Sequence, residues 1–264
     1  MKLKRDYSDF IAIDVGNSRV KVLYQNEIKG FDTEGEGLNG FGKYFKELQK
    51  SAKKNSGVYT LVICIASVND VAENKILEII EPYKLEIIKA TEALKRQKLI
   101  DFSLVRGMGC DRKLGLIGAF EYLQSPFITV DIGTAITINV LDKTRCCRGG
   151  VILPGPFTQV KSLEEHTAGL GKIKLSVSAE VAGLNTVSAV GNGIIYGICG
   201  AIREIIDLIR IQIPGMAHAK VIMTGGGSKL VRWILRVLEY DFKFEEDLVV
   251  RGILRLMRSH GVKK

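Results

Sequence analysis

The sequence has few of the residues that build metal cages or disulfide frameworks. Its three histidines are isolated from one another, and its five cysteines include no pair separated by two residues. Cysteines paired at that spacing are the usual mark of a zinc or redox site. We therefore expect reduced, mostly structural thiols and no metal ion held by protein ligands alone.

Long apolar runs are also missing. No segment approaches the roughly 20 apolar residues that span a bilayer, and the first apolar run, FIAI, is too short for a signal-peptide core. We therefore expect a cytoplasmic protein with no part in a membrane. The basic amphipathic segment VVRGILRLMRSHGVKK leaves a helix lying on a membrane surface open. Docking of its apolar side on the protein is the more common outcome.

Positive charge is in excess but dispersed. The net charge is +9 and the isoelectric point is near 9.2, and a basic surface attracts nucleic acid. The lysines and arginines, however, are spread along the chain without interleaved aromatic residues on which bases stack. Solvated helix faces explain them better, so we expect no nucleic-acid partner.

Two common nucleotide-binding motifs are absent. The chain contains no GxxxxGK[ST] segment, which excludes a P-loop, and no GxGxxG after a first strand, which excludes the usual dinucleotide-binding turn. A phosphate site in this chain would need another kind of turn.

A hairpin pattern, in contrast, is present twice. FIAIDVGNSRVKVLYQ begins at Phe10 and FITVDIGTAITINVLD begins at Phe127. Each reads as an apolar strand, an aspartate, a glycine turn and a second strand. A repeat near half the chain length indicates duplication of one supersecondary unit. Since strands alternate with helical segments, we predict an α/β protein of two lobes, residues 1–122 and 123–264.

Other elements follow from hydrophobic periodicity. The predicted strands are 61–66 and 85–89, and the predicted helices are 40–54, 70–81, 157–168 and 187–210. The segment GGVILPG reads as a glycine-rich turn, and AKVIMTGGGSKLVRWIL reads as a strand, a glycine loop and a helix.

Each hairpin places a carboxylate, Asp14 or Asp131, at a strand end beside a tight turn. Such turns expose backbone N–H groups that can face a phosphate, although an aspartate there can also simply initiate the turn. Two copies, together with the glycine loop at 224–227, favour nucleotide binding. Lys21 on the second strand would add a positive charge, or would be an exposed strand lysine.

The segment GMGCDRKLGLIGAFEYL predicts a helix with Asp111 as its N-cap. Phosphoryl transfer to an alcohol needs positioning, charge neutralisation and a carboxylate near the attacking hydroxyl. Asp111 fits that role, and Arg112 beside it would bind a carboxylate or transferred charge. A capping aspartate with a solvated arginine is an equally good interpretation of these residues alone.

Six motifs in order carry a resemblance to a known family. DVGNSRVK, GCDR, DIGTAITI, GGVILPG, an NT pair before a glycine-rich helix, and TGGG cover about residues 11–230. With these motifs the chain resembles the type III pantothenate kinases of the actin-like ATPase superfamily. The resemblance implies a two-lobed actin-like fold, each lobe built on a ribonuclease H-like sheet. It also implies an active site between the lobes that is completed in a homodimer.

The resemblance assigns roles to single residues. Those assigned to ATP are Asp14, Val15, Gly16, Asn17, Ser18, Arg19, Val20, Lys21 and Thr134. Those assigned to pantothenate are Gly109, Cys110, Asp111, Arg112 and Thr186. Asp111 would be the catalytic base, and Asp131 would hold the monovalent cation, K⁺ or NH₄⁺. The implied reaction uses ATP with Mg²⁺ and gives ADP and 4′-phosphopantothenate.

The chain departs from the family pattern at three places. Phe102 and Val105 stand where a tyrosine and a proline are usual, and Asn139 stands where the second repeat usually has an aspartate. Two alternatives to a pantothenate kinase therefore stay open. One is a non-catalytic accessory protein of the same fold, and the other is an actin-like kinase for another small molecule.

Overall fold

The computed structural model describes residues 10–55, 61–167, 170–178, 180–237 and 239–260. The strands are β1 (Phe10–Val15), β2 (Arg19–Tyr24), β3 (Glu27–Asp32), β4 (Val62–Ser67), β5 (Glu86–Lys89), β6 (Phe127–Ile132), β7 (Ala135–Leu141), β8 (Cys147–Pro154), β9 (Lys220–Thr224) and β10 (Lys243–Phe244). The helices are α1 (Gly37–Asn55), α2 (Asp70–Ile80), α3 (Ala90–Arg96), α4 (Cys110–Ala119), α5 (Pro156–His166), α6 (Thr186–Gln212), α7 (Ser228–Val237) and α8 (Leu248–His260).

These elements form two compact units. Unit 1 comprises the described residues of Met1–Ile100, Gly107–Ala119 and Leu248–Lys264, and unit 2 comprises Asp101–Arg106 and the described residues of Phe120–Asp247. Among the described residues, each unit has one five-stranded sheet, in the order β3-β2-β1-β4-β5 or β8-β7-β6-β9-β10. In both sheets the first three strands of the unit are antiparallel and the last two add in parallel.

The duplication extends to the burial of single residues. In β1 and β6 the same five of six residues are buried, and the half-buried residue is the aspartate, Asp14 or Asp131. These matching sheets flanked by helices confirm the α/β, actin-like fold class. They also confirm that the two hairpins mark a repeated unit.

The core of unit 1 places Asp14 on one side of its sheet. Ile11, Ile13 and Val15 of β1 are buried with Phe41 on α1. Side chains alternate along a strand, so Asp14 points to the other face, on which α8 packs. In unit 2 the corresponding apolar face packs against α5, α6 and α7.

The helix α8 belongs to unit 1, whereas the predicted boundary placed it in the second lobe. Its apolar side packs on α4 and on β1, as expected for docking on the protein. The crossing is close because glycines face backbone: a Cβ on Gly118 would lie 2.0 Å from the Leu248 carbonyl oxygen, and a Cβ on Gly252 would lie 2.0 Å from that of Leu114. Sequence position alone does not show such a return to the first unit.

Two edge strands differ from the prediction. The first six residues of GGVILPG are part of β8 rather than a turn, and β3 has no counterpart among the predicted elements. Both strands lie at a sheet edge and are largely exposed, so neither carries the buried alternation by which strands are found. The predicted end of α5, Ala168, lies outside the described residues. Within those residues, no helix combines the length and apolar character needed to cross a bilayer.

Candidate active site

The first glycine turn joins β1 to β2 and is held by hydrogen bonds from two sides. The Gly16 N–H donates to the Arg19 carbonyl at 2.9 Å. The Asn17 carbonyl accepts from Thr33 Oγ1 at 2.7 Å and from Asn69 Nδ2 at 3.4 Å. Because donors already engage this carbonyl, its partial negative charge is less able to repel an anion at the turn. The turn is therefore held in place by α2 and by the end of β3.

Lys21 lies directly opposite Asp14 in the β1–β2 pair. Residues in register on one face of an antiparallel pair have Cβ atoms about 5 Å apart, so an ammonium group and a carboxylate share this strand end. Arg19 has another environment: its Nε lies 3.6 Å from Asp32 Oδ1, and a Cβ on Gly30 would lie 3.0 Å from its Nη2. Its guanidinium group therefore lies over β3.

Asp111 lies in the first turn of α4, which begins at Cys110. The predicted N-cap role is therefore wrong, because the capping position precedes the helix. A Cβ on Gly109 would lie 2.5 Å from Asp111 Oδ1, which shows that the carboxylate folds back over this glycine. A larger residue at Gly109 would displace the carboxylate.

Cys110 is affected by the charges of two carboxylates in unit 1, those of Asp111 and Asp14. Burial raises the pKa of its thiol, and the negative charges of Asp111 and Asp14 raise that pKa further. The Cys110 Sγ also lies 3.2 Å from the Ser67 carbonyl oxygen, to which it donates. The structure thus brings the first glycine turn and the segment Gly109–Arg112 together at the carboxyl end of β1 and β4.

The loop after β4 is a part of this site that sequence reasoning missed. The Val68 N–H donates to the Val15 carbonyl at 3.1 Å, and Asn69 reaches the neighbouring glycine turn. Asn69 also caps α2 by accepting from the Ala72 N–H at 3.1 Å. The duplication offered a signal, since β4 corresponds to β9, the strand that precedes the glycine loop 224–227.

In unit 2, Asp131 is enclosed by that glycine loop. Gly225 has a φ of +91°, and a Cβ on it would lie 2.4 Å from Asp131 Oδ1 and 2.5 Å from the Ile132 carbonyl oxygen. Two oxygen atoms therefore converge on a place that only glycine leaves open. Carboxylate and carbonyl oxygens suit a hard cation, so the residues present fit the monovalent ion that the resemblance implies.

Thr134 lies in the second glycine turn, against the start of α5. Its carbonyl accepts from the Gly155 N–H at 2.9 Å and from Thr158 Oγ1 at 2.6 Å. A Cβ on Gly155 would lie 2.1 Å from the Gly133 carbonyl oxygen. Gly155 and Thr158 are thus further residues that shape this turn, and the first of them is the last residue of the GGVILPG motif.

Thr186 is the first residue of α6, one residue earlier than the predicted start, and it is exposed. Asn185 caps the helix in a reciprocal capping box, in which its side chain accepts from the Ser188 N–H at 3.0 Å. Thr186 is therefore presented at a well-ordered helix start in unit 2, apart in sequence from the turn that carries Asp131 and Thr134.

Two of the residues that depart from the family pattern, Asn139 and Phe102, lie in unit 2. Asn139 is buried, with its Nδ2 3.4 Å from both Thr129 Oγ1 and Thr137 Oγ1, so an amide sits inside the β6–β7 pair where a carboxylate would be buried among hydroxyl groups. Phe102 is half-buried in the short segment Asp101–Arg106, which belongs to unit 2.

Comparison with known proteins decides the family. A model of the type III pantothenate kinases matches residues 10–208. The chain belongs to the type III pantothenate kinase family. The family match covers both repeats and the segment from Gly109 to Thr186, and it ends before the glycine loop at 224–227.

Individual relatives agree with the family match. A type III pantothenate kinase of Synechococcus elongatus is 34% identical over 181 residues, 67% of this chain and 72% of the relative. One of Chlorobaculum parvum is 28% identical over 258 residues, 95% of each chain. A crystal structure from Campylobacter jejuni, described as a Baf family transcriptional activator, has a TM-score of 0.61 and 18% identity and covers 95% of this chain and 98% of its own. That likeness shows a shared fold.

Proposed function

We propose that this chain transfers the γ-phosphoryl group of ATP to the terminal hydroxyl of pantothenate, the first step of coenzyme A biosynthesis. Membership of the family makes it an ATP-dependent kinase. The observation that carries the proposal for the site is the hydrogen bond from Cys110 Sγ to the Ser67 carbonyl at 3.2 Å, because it joins the segment that contains Asp111 to the strand end beside the first glycine turn.

Unit 1 supplies the groups that the transfer requires. The turn from Asp14 to Lys21 would contact the phosphates of ATP, with Lys21 as the positive charge and Asp14 facing the Mg²⁺ that accompanies ATP. Gly109 to Arg112 would hold pantothenate. Arg112 matches its carboxylate in charge and can bind it through two N–H groups.

Asp111 would act as the general base. It accepts the proton of the pantothenate hydroxyl as that oxygen forms its bond to the γ-phosphorus. The bond between this phosphorus and the β–γ bridging oxygen breaks, and ADP departs with the electron pair. The Gly109 Cα leaves room for the carboxylate to take this position.

Unit 2 supplies a cation site and further contacts. Asp131 would hold K⁺ or NH₄⁺, which neutralises negative charge near the nucleotide, and Thr134 would contact ATP. Thr186, with its exposed hydroxyl at the start of α6, would contact pantothenate.

A homodimer in the cytoplasm is the proposed state of the protein. Unit 2 exposes several large apolar side chains, on β8 and around the starts of α5 and α6, which are typical of a protein interface. They are Val151, Ile152, Phe157 and Val187. Light scattering after size-exclusion chromatography should give twice the monomer mass, and a monomer at assay concentration would contradict this state.

One assay tests the reaction. ADP release should require both Mg²⁺-ATP and pantothenate, and it should be much faster in K⁺ or NH₄⁺ than in Na⁺. Mass spectrometry should identify 4′-phosphopantothenate as the product. Turnover independent of pantothenate would point to another small-molecule substrate, and no turnover in any of these salts would point to an accessory protein. Equal rates in K⁺ and Na⁺ would refute only the cation assignment.

A further inference from the structure

A buried amide on α6 holds the chain segment that leads to Thr186. Asn192 is 1% exposed. Its Oδ1 accepts from the Ser178 N–H at 2.9 Å, and its Nδ2 lies 2.8 Å from Ser178 Oγ, 2.7 Å from the Glu180 carbonyl and 3.1 Å from the Val181 carbonyl. The Asn192 side chain thus uses both its acceptor oxygen and its N–H donors in hydrogen bonds to this segment. No aliphatic residue of the same size can replace these bonds.

Two glycines let the same segment lie directly on the helix. A Cβ on Gly191 would lie 1.9 Å from the Ser176 carbonyl oxygen, and a Cβ on Gly183 would lie 2.3 Å from the Ala189 nitrogen. The segment is therefore fixed before and after the residues that Asn192 binds. Its path along the first two turns of α6 is determined by contacts with backbone.

The fixed segment ends immediately before the proposed pantothenate contact. The capping box of Asn185 completes it, and Thr186 follows. Within the segment, Val181 is 64% exposed and Leu184 is 91% exposed. Exposed apolar groups next to a hydroxyl match pantothenate, whose gem-dimethyl carbon lies between a CH2OH and a CHOH group.

We propose that Asn192 is a positioning residue for pantothenate binding, acting through Ser178 and residues 180–185 on the place of Thr186 and its apolar neighbours. The inference rests on the proposed function, because it takes Thr186 to contact pantothenate. Asn192 itself does not touch the substrate. Its role is to keep one arrangement of the segment, so that substrate binding does not have to order it.

Asn192→Asp tests this role with almost no change of shape. The carboxylate keeps the acceptor for the Ser178 N–H but removes the donor to the Glu180 and Val181 carbonyls, leaving these oxygens facing a negative charge. The KM for pantothenate should rise about tenfold or more, while kcat and the KM for ATP stay within about twofold. Asn192→Leu, which removes every bond, should show the same split with a larger rise.

Arg210→Met is the matched control at the other end of α6. Arg210 Nη2 donates to the Ala219 carbonyl at 3.1 Å, so this variant also removes a bond between α6 and a following loop. It should lower the melting temperature and leave the KM for pantothenate unchanged. Hydrogen exchange of residues 176–185 should quicken in the Asn192 variants and not in the control.

The possible outcomes separate the inference from the proposed function. If the unaltered chain phosphorylates pantothenate but the Asn192 variants keep its KM, the inference is overturned. It is also overturned if these variants change kcat and both KM values in parallel with the loss of stability, as a purely structural residue would. If the unaltered chain does not use pantothenate at all, the proposed function fails and the inference falls with it.

Discussion

The Asp111 side chain lies in the first turn of α4 without capping this helix. An aspartate before an apolar stripe is a typical N-cap, yet the helix starts one residue earlier and the side chain folds over Gly109. A carboxylate that does not cap its helix is available for another task. The catalytic role proposed for Asp111 is therefore compatible with its place in the helix.

Asp111→Asn should lower kcat by a factor of about 10²–10⁴, because an amide of the same shape cannot accept the proton. The KM for ATP should change little. Steady-state kinetics at saturating pantothenate measure the effect. Asp70→Asn is the matched control, since Asp70 is an exposed carboxylate in the first turn of α2 in the same unit. Equal activity of the two variants would show that the base is another group.

The hydrogen bonds of single side chains mark the limit of what the sequence could predict. The pairing of Asp14 with a glycine turn follows from local pattern, because a strand end and a turn are close in the chain. Asn69 contacts Asn17 and Asn192 contacts Ser178 across longer separations. Such contacts depend on packing that no local pattern encodes.

At the scale of elements, the glycine loop after β9 leaves no room for a side chain at Gly225. Gly225→Ala should displace Asp131 or the loop, because the new methyl group would lie 2.4 Å from Asp131 Oδ1 and φ is +91°. Activity should fall at least about tenfold, with a weaker dependence on K⁺.

Gly226→Ala provides the control in the same loop, since nothing lies within 4 Å of its Cβ position. It should retain activity and K⁺ dependence. Kinetics at several K⁺ concentrations compare the two variants. A Gly225→Ala enzyme with unchanged K⁺ dependence would disprove the proposed cation site.

The close crossing of α4 and α8 should make the stability of unit 1 sensitive to substitution of glycine at the contact. Gly118→Ala should destabilise unit 1 by about 2–3 kcal/mol, because the methyl group would meet the Leu248 backbone at 2.0 Å and the helices must separate. Gly115→Ala on the same helix should stabilise by about 0.5–1 kcal/mol, since its Cβ position is open. Urea denaturation measures both values. Equal stabilities would mean that the helices do not cross so closely.

Elements were predictable in proportion to their burial. The hairpins β1–β2 and β6–β7 and the long helix α6 have buried periodic faces, and the sequence showed them within a few residues. The edge strands β3 and β8 have exposed residues on both faces, so their pattern is weak. Because this pattern is weak, the sequence did not show that each sheet has a third antiparallel strand.

At the scale of the whole molecule, buried thiols link stability to pH. Burial raises the pKa of Cys64 in unit 1 and of Cys199 in unit 2 from 9.0 to about 12. Between these values the unfolded chain loses protons that the folded chain keeps. The contribution of the two buried, protonated thiols to the stability of the folded state is therefore complete below pH 9, and it is lost as the pH rises towards 12.

The free energy of unfolding should fall with pH in this range by up to about 1.4 kcal/mol per pH unit for each thiol. Urea denaturation at pH values from 8 to 10.5 measures the slope. Cys64→Ala should flatten it, although the variant itself is less stable. A slope that Cys64→Ala does not change would contradict the assignment of the effect to this thiol.

The path of the chain through the two units has a consequence for biosynthesis. Unit 2 is assembled from residues 101–106 and 120–247, whereas unit 1 needs α8 to cover α4 and one face of its sheet. During translation, unit 2 has all its residues before α8 has been made. The apolar side of α4 and one face of the unit 1 sheet therefore stay uncovered until α8 has been made.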